Sequence, residues 1–460
     1  MALNRREFLT ASSAILASGA MGCATTPASG GRNESIIVVG AGIAGLAAAH
    51  NLQTAGYNVT VLEAARRVGG RIYTNRDLGV PVELGASRIH GIKKNPIVPL
   101  LDQTALKYQL VNWDNLSGVE SDGTPMDDTE LAKVRDRLLG VFRRAFLRNL
   151  TAPEDFPIED IIRRELQRRE LTDEERRVLY FGIVSAEMMN ASPFSEASWK
   201  YALEYEAFPG GDHYIVNGYD AVPQLLAQDL DIKTQVQVTS IDYTQRPVQV
   251  TTNSGVLSAD RVLVTVPLGV LKAGAINFKP ALPPDKQTAI DRIGMGLINK
   301  IALKFPKAFW PEHVHALAHG SDIRGNYAAF VNVALYTGSP ILMAYIPGSF
   351  QNALEDLSDT DAIGGAIETL RRMYGSSVPE PITAIRTRWG AHPFTHGAYS
   401  FNKLGATSDD RDILAQPLNE RVFFAGEATS RKQFGSVSGA YLSGIRAAQD
   451  IMVIPATAIA

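Results

Sequence analysis

Cysteine is almost absent from this chain of 460 residues, because Cys23 is the only one. A single thiol cannot close an intramolecular disulfide, and it cannot supply a cysteine-based metal site. Cys23 also lies close to the N-terminus, in a segment with the features of an export leader. A cofactor of the mature chain must therefore be held by other residue types, without a cysteinyl bond.

The chain also lacks a strong net charge and long apolar runs. Its 45 Lys and Arg residues against 48 Asp and Glu residues give a formal net charge of −3. Nucleic-acid-binding proteins carry basic patches, so we expect no nucleic-acid partner. No segment beyond the N-terminal region has the ~20 consecutive apolar residues of a membrane-spanning helix, so no span is expected in the mature chain.

The N-terminal segment, residues 1–33, has the pattern of an export leader. Arg5 and Arg6 are followed by Phe8 and Leu9 and then by a short apolar run rich in small residues. This pattern predicts export of the folded protein by the twin-arginine machinery, to the periplasm or beyond. Lipid attachment at Cys23 stays open, and the alternative to export is a chance arginine pair.

One strand–helix–strand unit can be assigned early in the chain. Residues 35–39 are continuously apolar, as in a parallel strand buried on both faces. Residues 40–45 then follow the pattern G-x-G-x-x-G, residues 46–55 favour a helix, and residues 59–62 favour a second strand that ends at Glu63. The composition is globular and the length predicts two domains, and the strand–helix–strand unit agrees with an α/β protein.

The rest of the chain contains segments with helical patterns of apolar residues and segments with strand-like patterns. Residues 127–189 have apolar residues at helical spacing among many charged ones and predict a helical insert, with the charge run 163–177 on a solvated face. Strand-like segments return at 235–243, 248–252 and 261–266, then between 300 and 345. Residues 422–452 predict a strand, a glycine-rich turn and a long helix.

The glycine pattern has a physical reading. Gly40 permits a tight turn, Gly42 lets the backbone approach a pyrophosphate, and Gly45 lets the helix pack close to the sheet. The helix N-terminus offers N–H groups and a positive dipole end to phosphates. Glu63, at the end of the second strand, is placed to bind an adenosine ribose. These features predict dinucleotide binding.

The sequence that follows resembles the flavin-containing amine oxidase superfamily, most closely its polyamine oxidases of the spermine and spermidine type. Arg67-Val-Gly-Gly-Arg71-Ile-Tyr-Thr74 is similar to the family's second signature. The resemblance then extends from about residue 35 to 452. Its seven further blocks are residues 83–91, 265–272, 299–303, 388–390, 397–400, 424–430 and 435–444.

The resemblance implies a Rossmann-like doubly wound FAD-binding domain interleaved with a substrate domain of mixed sheet and helices. FAD-binding segments are expected at 34–95, 213–298 and 386–460, and substrate-domain segments at 96–212 and 299–385. FAD would be bound non-covalently. The residues implied to hold it are Gly40, Gly42, Ala44, Gly45, Glu63, Ala64, Gly70, Arg71, Gly85, Ala86, Ser87, Val238, Trp389, Gly426, Glu427 and Val437.

Four residues are implied to act on the substrate or the flavin. Lys300 matches a lysine that reaches through a water toward the flavin, where a lysine of lowered pKa can relay a proton. His90 would lie beside the substrate channel and accept a proton or bind the amine. Glu187 would pair with a distal ammonium, and Tyr399 would form one aromatic wall around the amine. The alternatives are an exposed strand lysine for Lys300, a structural role for His90 and a helix-surface carboxylate for Glu187.

Three positions depart from the family pattern. Ala398 stands where monoamine oxidases carry the cysteine that links to flavin, so FAD should leave on denaturation. Ser436 stands where the second aromatic wall would be. Arg88 replaces a tryptophan, and a cation there would repel a polyamine or attract a carboxylate.

The sequence therefore predicts an FAD-dependent amine oxidase. It would oxidise polyamines by hydride transfer, with oxygen or another acceptor restoring the flavin and hydrogen peroxide as a product. The alternatives are an L-amino-acid or other primary amine oxidase, and a flavoprotein that passes electrons to a partner. The implied partners are a small-molecule amine, an electron acceptor and the export machinery.

Overall fold

The computed structural model describes most of the chain beyond the N-terminal segment, so the export leader and most of the predicted helical insert lie outside the described residues. The described residues are 34–120, 123–127, 154–167, 190–202, 204–320, 327–346 and 354–454, with single positions between 129 and 147 and at 183, 186 and 187.

A five-stranded sheet, parallel throughout, forms the centre of one layer. Its strands are β1 (Ser35–Val39), β2 (Asn58–Glu63), β9 (Asp231–Thr234), β13 (Arg261–Val264) and β22 (Val422–Phe424). The spatial order is β22-β13-β1-β2-β9. Strands β1 and β13 are almost entirely buried, as expected for a parallel sheet covered on both faces.

Two helices pack together beside this sheet. Helix α1 (Ile43–Thr54) follows β1, and helix α11 (Val437–Val453) closes the described chain. Their backbones approach so closely that a Cβ on Gly444 would lie 2.2 Å from the carbonyl oxygen of Ala44. The small residues of both helices therefore permit a close contact and contribute to the apolar core beneath the sheet.

A six-stranded mixed sheet forms the second large layer. Its spatial order is β20-β16-β19-β18-β17-β7. The strands are β7 (Leu116–Val119), β16 (Asn299–Lys304), β17 (Ala316–His319), β18 (Ala329–Asn332), β19 (Ile341–Ile346) and β20 (Thr383–Arg386). Helix α9 (Asp359–Tyr374) buries its apolar face in the core of this layer, and Ser358 caps its first turn.

Smaller sheets connect the two layers. A four-stranded sheet contains β10 (Val238–Asp242), β11 (Val248–Thr252), β12 (Gly255–Ala259) and β14 (Asn277–Lys279), and a three-stranded sheet contains β5 (Arg88–His90), β6 (Tyr108–Leu110) and β8 (Asp212–Ile215). Two-stranded pairs are formed by β3 (Thr74–Asn75) with β4 (Val82–Glu83) and by β15 (Gly294–Gly296) with β21 (Tyr399–Phe401).

The remaining described helices are shorter. They are α2 (Val98–Gln103), α3 (Ile158–Leu166), α4 (Trp199–Ala202), α5 (Ala221–Leu226), α6 (Leu268–Lys272), α7 (Pro284–Arg292), α8 (Ala334–Thr337) and α10 (Ser408–Ala415). Within the described part of the chain, no helix combines the length and the apolar character that a bilayer crossing requires.

The predicted fold class is confirmed: an α/β dinucleotide-type layer is combined with a mixed sheet and helices. Helix α1 begins at Ile43, three residues earlier than the sequence indicated, so that the glycine pattern lies partly inside the helix. Strand β11 has the predicted bounds. Arg163 and Arg164 of the charge run are exposed on helix α3. The bounds of the leader and of the five FAD-binding and substrate-domain segments remain predictions.

Candidate active site

A cavity of about 290 Å³ is lined by residues of both large sheets. Residues after the parallel strands, such as Gly40 and Glu63, form part of its wall, and Lys300 and Tyr345 of the six-stranded sheet form another part. Clefts between two layers are common binding sites, because each layer can contribute separate groups to one ligand. This cavity is the candidate active site.

The turn between β1 and α1 leaves room for a ligand beside the backbone. Gly40 has a φ of +106°, which favours glycine, and a Cβ on Gly45 would lie 2.0 Å from the carbonyl oxygen of Gly40. Gly42 lines the cavity, and a Cβ on it would meet no atom within 4 Å. The turn therefore presents open space and the N-terminus of α1, which fit a phosphate group.

Glu63 lies next to that turn at the end of β2. Its carboxylate accepts hydrogen bonds from the backbone N–H groups of Ala41, at 2.7 Å, and Ala65, at 2.8 Å. Burial raises the pKa of Glu63, and these two donors oppose that shift. Each carboxylate oxygen keeps acceptor capacity toward the cavity, so the residue fits a ribose hydroxyl donor.

Arg71 and Glu427 form an ion pair on the cavity wall, with 2.8 Å between Nη1 of the arginine and Oε1 of the glutamate. Glu427 also accepts hydrogen bonds from the Ser400 hydroxyl and from the backbone N–H of Gly435. Burial alone would raise the pKa of Glu427, but Arg71, the Ser400 hydroxyl and the Arg411 cation outweigh it and hold the pKa low. The carboxylate therefore joins three separate segments of the wall.

The N-terminus of helix α11 points its first residues at the cavity, since Gly435, Ser436 and Val437 all line it. Ser436 caps the helix by accepting the N–H of Gly439 at 3.0 Å, and its hydroxyl donates to the carbonyl of Gln433. The position that lacks an aromatic ring is thus a helix cap. The helix terminus offers positive potential to an anionic group.

Lys300 lies on β16, directly opposite Tyr345 of β19. Its Nζ donates to the carbonyl oxygens of Glu83, at 2.9 Å, and Gly85, at 2.6 Å, and to the Ser87 hydroxyl at 3.2 Å. Burial lowers the pKa of Lys300, and the nearby Arg88 cation acts in the same direction. Lys300 is therefore a buried amine on the cavity wall that gives up its proton more readily than an exposed lysine.

Strand β5 presents Arg88 and His90 on one face, with Ile89 buried on the other. Nδ1 of His90 lies 3.1 Å from Oδ1 of Asp212 on β8. The Arg88 guanidinium lies 4.9 Å from the centre of the Trp113 ring. Arg88 and His90 both line the cavity.

Most of the residues selected from the sequence line this cavity. They are Gly40, Gly42, Ala44, Glu63, Ala64, Gly70, Arg71, Gly85, Ala86, Ser87, His90, Val238, Lys300, Trp389, Tyr399, Gly426, Glu427 and Val437. Gly45 lies behind the turn, where it permits the close approach of α1 to Gly40.

Glu187 does not lie with them. Its carboxylate is buried and accepts the backbone N–H of Phe194 at 2.8 Å, and the residue is not part of the described cavity wall. The role expected for Glu187 at a distal ammonium therefore stays a prediction. The hydrogen bond to Phe194 gives Glu187 a structural role, in which its carboxylate holds the nearby backbone.

Two residues of the site were not predicted from the sequence. Tyr345 lines the cavity because it pairs with Lys300 across the sheet, and Asp212 contacts His90 because β8 pairs with β5. Neither belongs to a recognisable motif. Residues 341–346 are apolar and buried throughout, so no alternation of side chains marked Tyr345.

Comparison with known proteins gives a consistent family. A family model described as flavin containing amine oxidoreductase matches residues 43–452. Polyamine oxidase 4 of Oryza sativa subsp. japonica is 35% identical over 443 residues, which cover 93% of this chain and 89% of that protein. Lysine-specific histone demethylase 1 homolog 2 of Arabidopsis thaliana is 36% identical over 441 residues, which cover 92% of this chain but 59% of that protein.

A similar fold is found among solved structures. Putrescine oxidase bound to putrescine superposes with a TM-score of 0.73 at 22% identity, covering 92% of this chain and 99% of that one. At this identity the likeness bears on the fold alone. The candidate site is therefore described from the residues of this chain.

Proposed function

This chain belongs to the flavin-containing amine oxidoreductase family, whose cofactor is FAD, and from that premise we propose that it oxidises polyamines at the carbon next to a secondary amine. The products are an aldehyde and a shorter amine, with hydrogen peroxide where oxygen is the electron acceptor. The observation that carries the amine oxidase assignment is that Lys300 and Tyr399 line the same cavity as the Gly42 turn and Glu63.

The residues of the cavity fit FAD. Gly42 and the N-terminus of α1 would hold the pyrophosphate, Glu63 the adenosine ribose, and the capped N-terminus of α11 the flavin end. When bound, FAD supplies the hydride acceptor of the reaction. Ala398 offers no thiol to the flavin, so acid precipitation of the protein is expected to leave the flavin in solution.

The side chains of the cavity wall would orient the amine and handle its protons. His90 is placed to take a proton at the substrate amine, because its ring reaches the cavity while Asp212 holds the opposite side. Lys300 would hold or move a proton at Nζ, since burial lowers its pKa. Tyr399 offers an aromatic surface to a cationic or neutral amine.

Support for a polyamine comes from the rice relative, which is named a polyamine oxidase and is matched over most of its length. The relative named a histone demethylase is matched over only 59% of its length. Its name adds a lysine-containing amine to the substrates that this chain could be tested on.

A second candidate substrate is an amine that carries a carboxylate, such as an L-amino acid. Arg88 favours it, because a guanidinium on the cavity wall attracts carboxylates and repels polycations. Glu187, the acid expected to receive a distal ammonium, does not lie on the described wall.

The experiment is anaerobic mixing of the purified, FAD-loaded enzyme with candidate substrates, followed by flavin absorbance. The panel contains spermine, spermidine, acetylated polyamines, simple monoamines and L-amino acids. Rapid bleaching by polyamines alone supports the first proposal, and bleaching only by carboxylate-bearing amines supports the second. Bleaching by an amine followed by slow reaction with oxygen would identify an enzyme that passes electrons to a partner. Failure of every amine to bleach the flavin would contradict both.

Export is proposed separately, from the paired Arg5 and Arg6. The substitution of both by lysine is expected to keep the enzyme in the cytoplasm of a host that has the twin-arginine machinery. Unchanged export of that variant would contradict the proposal, and the mass of the exported chain would report whether Cys23 carries a lipid.

A further inference from the structure

The pair formed by His90 and Asp212 is set by the backbone of the three-stranded sheet. Strand β5 pairs antiparallel with β8, and His90 is directly opposite Asp212 in the register. The carbonyl of Asp212 accepts the N–H of Val111 at 2.8 Å. Val111 follows β6, so Asp212 is also held from the β6 side. The two side chains therefore meet because of the register between β5 and β8.

Asp212 lies behind His90 and does not line the cavity itself. Its side chain is 6% exposed, whereas that of His90 is 22% exposed and forms part of the cavity wall. Burial by itself would raise the pKa of the Asp212 carboxyl, but His90 and Arg88 outweigh it and the pKa lies below its ordinary value. Asp212 is therefore an ionised acceptor at neutral pH.

An ionised carboxylate can only accept a hydrogen bond, so Nδ1 of His90 must carry the proton in this pair. The imidazole then presents Nε2 as its second nitrogen, with the lone pair available when the ring is neutral. A histidine held in this way has one tautomer and one ring orientation, as in other carboxylate–histidine pairs.

Other titratable groups lie near the pair, but each of them has its own partners. Arg88 lies on the same face of β5 and packs on Trp113, while Lys300 is hydrogen-bonded to Glu83, Gly85 and Ser87. His315 lies against Trp113 and bonds to Tyr336. None of these groups brings a negative charge to the His90 ring, whereas Asp212 does.

We propose that Asp212 is a positioning residue, which fixes His90 as the Nδ1–H tautomer so that Nε2 receives the proton of the substrate ammonium before hydride transfer. The proton moves from the substrate nitrogen to Nε2, and the nitrogen lone pair that is released becomes available to the carbon–nitrogen bond. This inference rests on the proposed function for the identity of the proton donor, whereas the tautomer of His90 is independent of it.

The first test reads the tautomer directly, without turnover. The FAD-loaded protein is labelled with ¹⁵N-histidine, and the His90 signals are assigned as those missing from His90→Gln. At alkaline pH the wild type is expected to show a protonated Nδ1 and an unprotonated Nε2. Asp212→Asn is expected to give a mixture of tautomers or the reverse one, and Asp231→Asn, at an exposed carboxylate that accepts from Thr60, is expected to leave the signals unchanged. A wild-type ring protonated on Nε2 would overturn the proposal.

The second test is a double-mutant cycle on flavin reduction by the best amine. Asp212→Asn is expected to lower kcat/KM on the order of 10- to 100-fold while the flavin content is retained. In the His90→Gln background the same substitution is expected to have almost no further effect, because its action passes through His90. Full additivity of the two losses would assign Asp212 a merely structural role and overturn the proposal. If no amine reduces the wild type, the proposed function fails, and the tautomer measurement still decides whether Asp212 controls the ring.

Discussion

Lys300 and Tyr345 face one another on adjacent antiparallel strands, with the lysine Nζ 4.9 Å from the centre of the tyrosine ring. The ring shields one side of the amine, and three oxygen acceptors surround the rest. Because the amine is removed from bulk water, the neutral form becomes accessible at lower pH than for an exposed lysine. This pair is the part of the cavity wall that is best suited to hold and move a proton.

Replacement of Lys300 by methionine tests that role. The variant is expected to bind the amine as the wild type does, whereas reoxidation of its reduced flavin by oxygen is expected to slow by about 100-fold, the usual size of one proton-transfer contribution. Stopped-flow mixing with oxygen measures the rate. Lys304→Met is the matched control, since Lys304 lies on the same strand and donates to the carbonyl of Leu78. Equal reoxidation rates in wild type and Lys300→Met would exclude the role.

The turn at Gly45 should not tolerate a side chain at that position. A Cβ there would lie 2.0 Å from the carbonyl oxygen of Gly40, so Gly45→Ala must push α1 away from the turn. We expect the purified variant to lose most of its flavin and to melt at lower temperature. Gly364→Ala, within helix α9, is the control, because its Cβ would meet no atom within 4 Å. Flavin absorbance per protein chain measures the first effect, and the thermal melting temperature measures the second. Wild-type flavin content and melting temperature in Gly45→Ala would contradict the assignment of the turn.

Local patterns in the sequence were enough for the strand–turn–helix unit and for Glu63, because these features depend on residues close together in the chain. They were not enough for Tyr345 and Asp212, whose positions follow from which strands pair and in which register. Glu187 illustrates the converse: a charged residue in a helical segment gave no indication that its carboxylate is buried against Phe194. The role of Ser436 as a helix cap was visible only once Gly439 was known to be in the first turn of α11.

Glu83 makes stability depend on pH. Burial raises its pKa to about 7 from 4.5, although the N–H of Tyr219 and the hydroxyl of Thr74 oppose the shift. Between these two values the folded state binds more protons than the unfolded state. The contribution to stability is therefore complete below the unfolded pKa and is lost as the pH rises through the folded one. Its size is on the order of 3 kcal/mol at most.

Glu83→Gln should remove that dependence while it keeps an acceptor for Tyr219. We expect the free energy of unfolding to change less between pH 4.5 and 7 in the variant than in the wild type. Denaturant titrations at several pH values measure the slope. Glu312→Gln, at an exposed position, provides the control and should keep the wild-type slope. An unchanged slope in Glu83→Gln would mean that another group is responsible.

Arg88 should decide between the two substrate classes, because its guanidinium lies on the cavity wall over the rings of Trp113 and Tyr345, at 4.9 and 5.9 Å. Removal of one cation near a bound polycation is worth roughly 1 kcal/mol, so Arg88→Gln should raise kcat/KM for spermine about fivefold. The same change should lower kcat/KM for a carboxylate-bearing amine by at least as much, since a charge-assisted hydrogen bond is lost. Arg292→Gln, at an exposed arginine 3.9 Å from Asp410, removes the same charge far from the cavity wall and should alter neither value. Opposite changes for the two substrates would identify Arg88 as the residue that sets specificity. Parallel losses for both would mean that it supports only the structure of the wall.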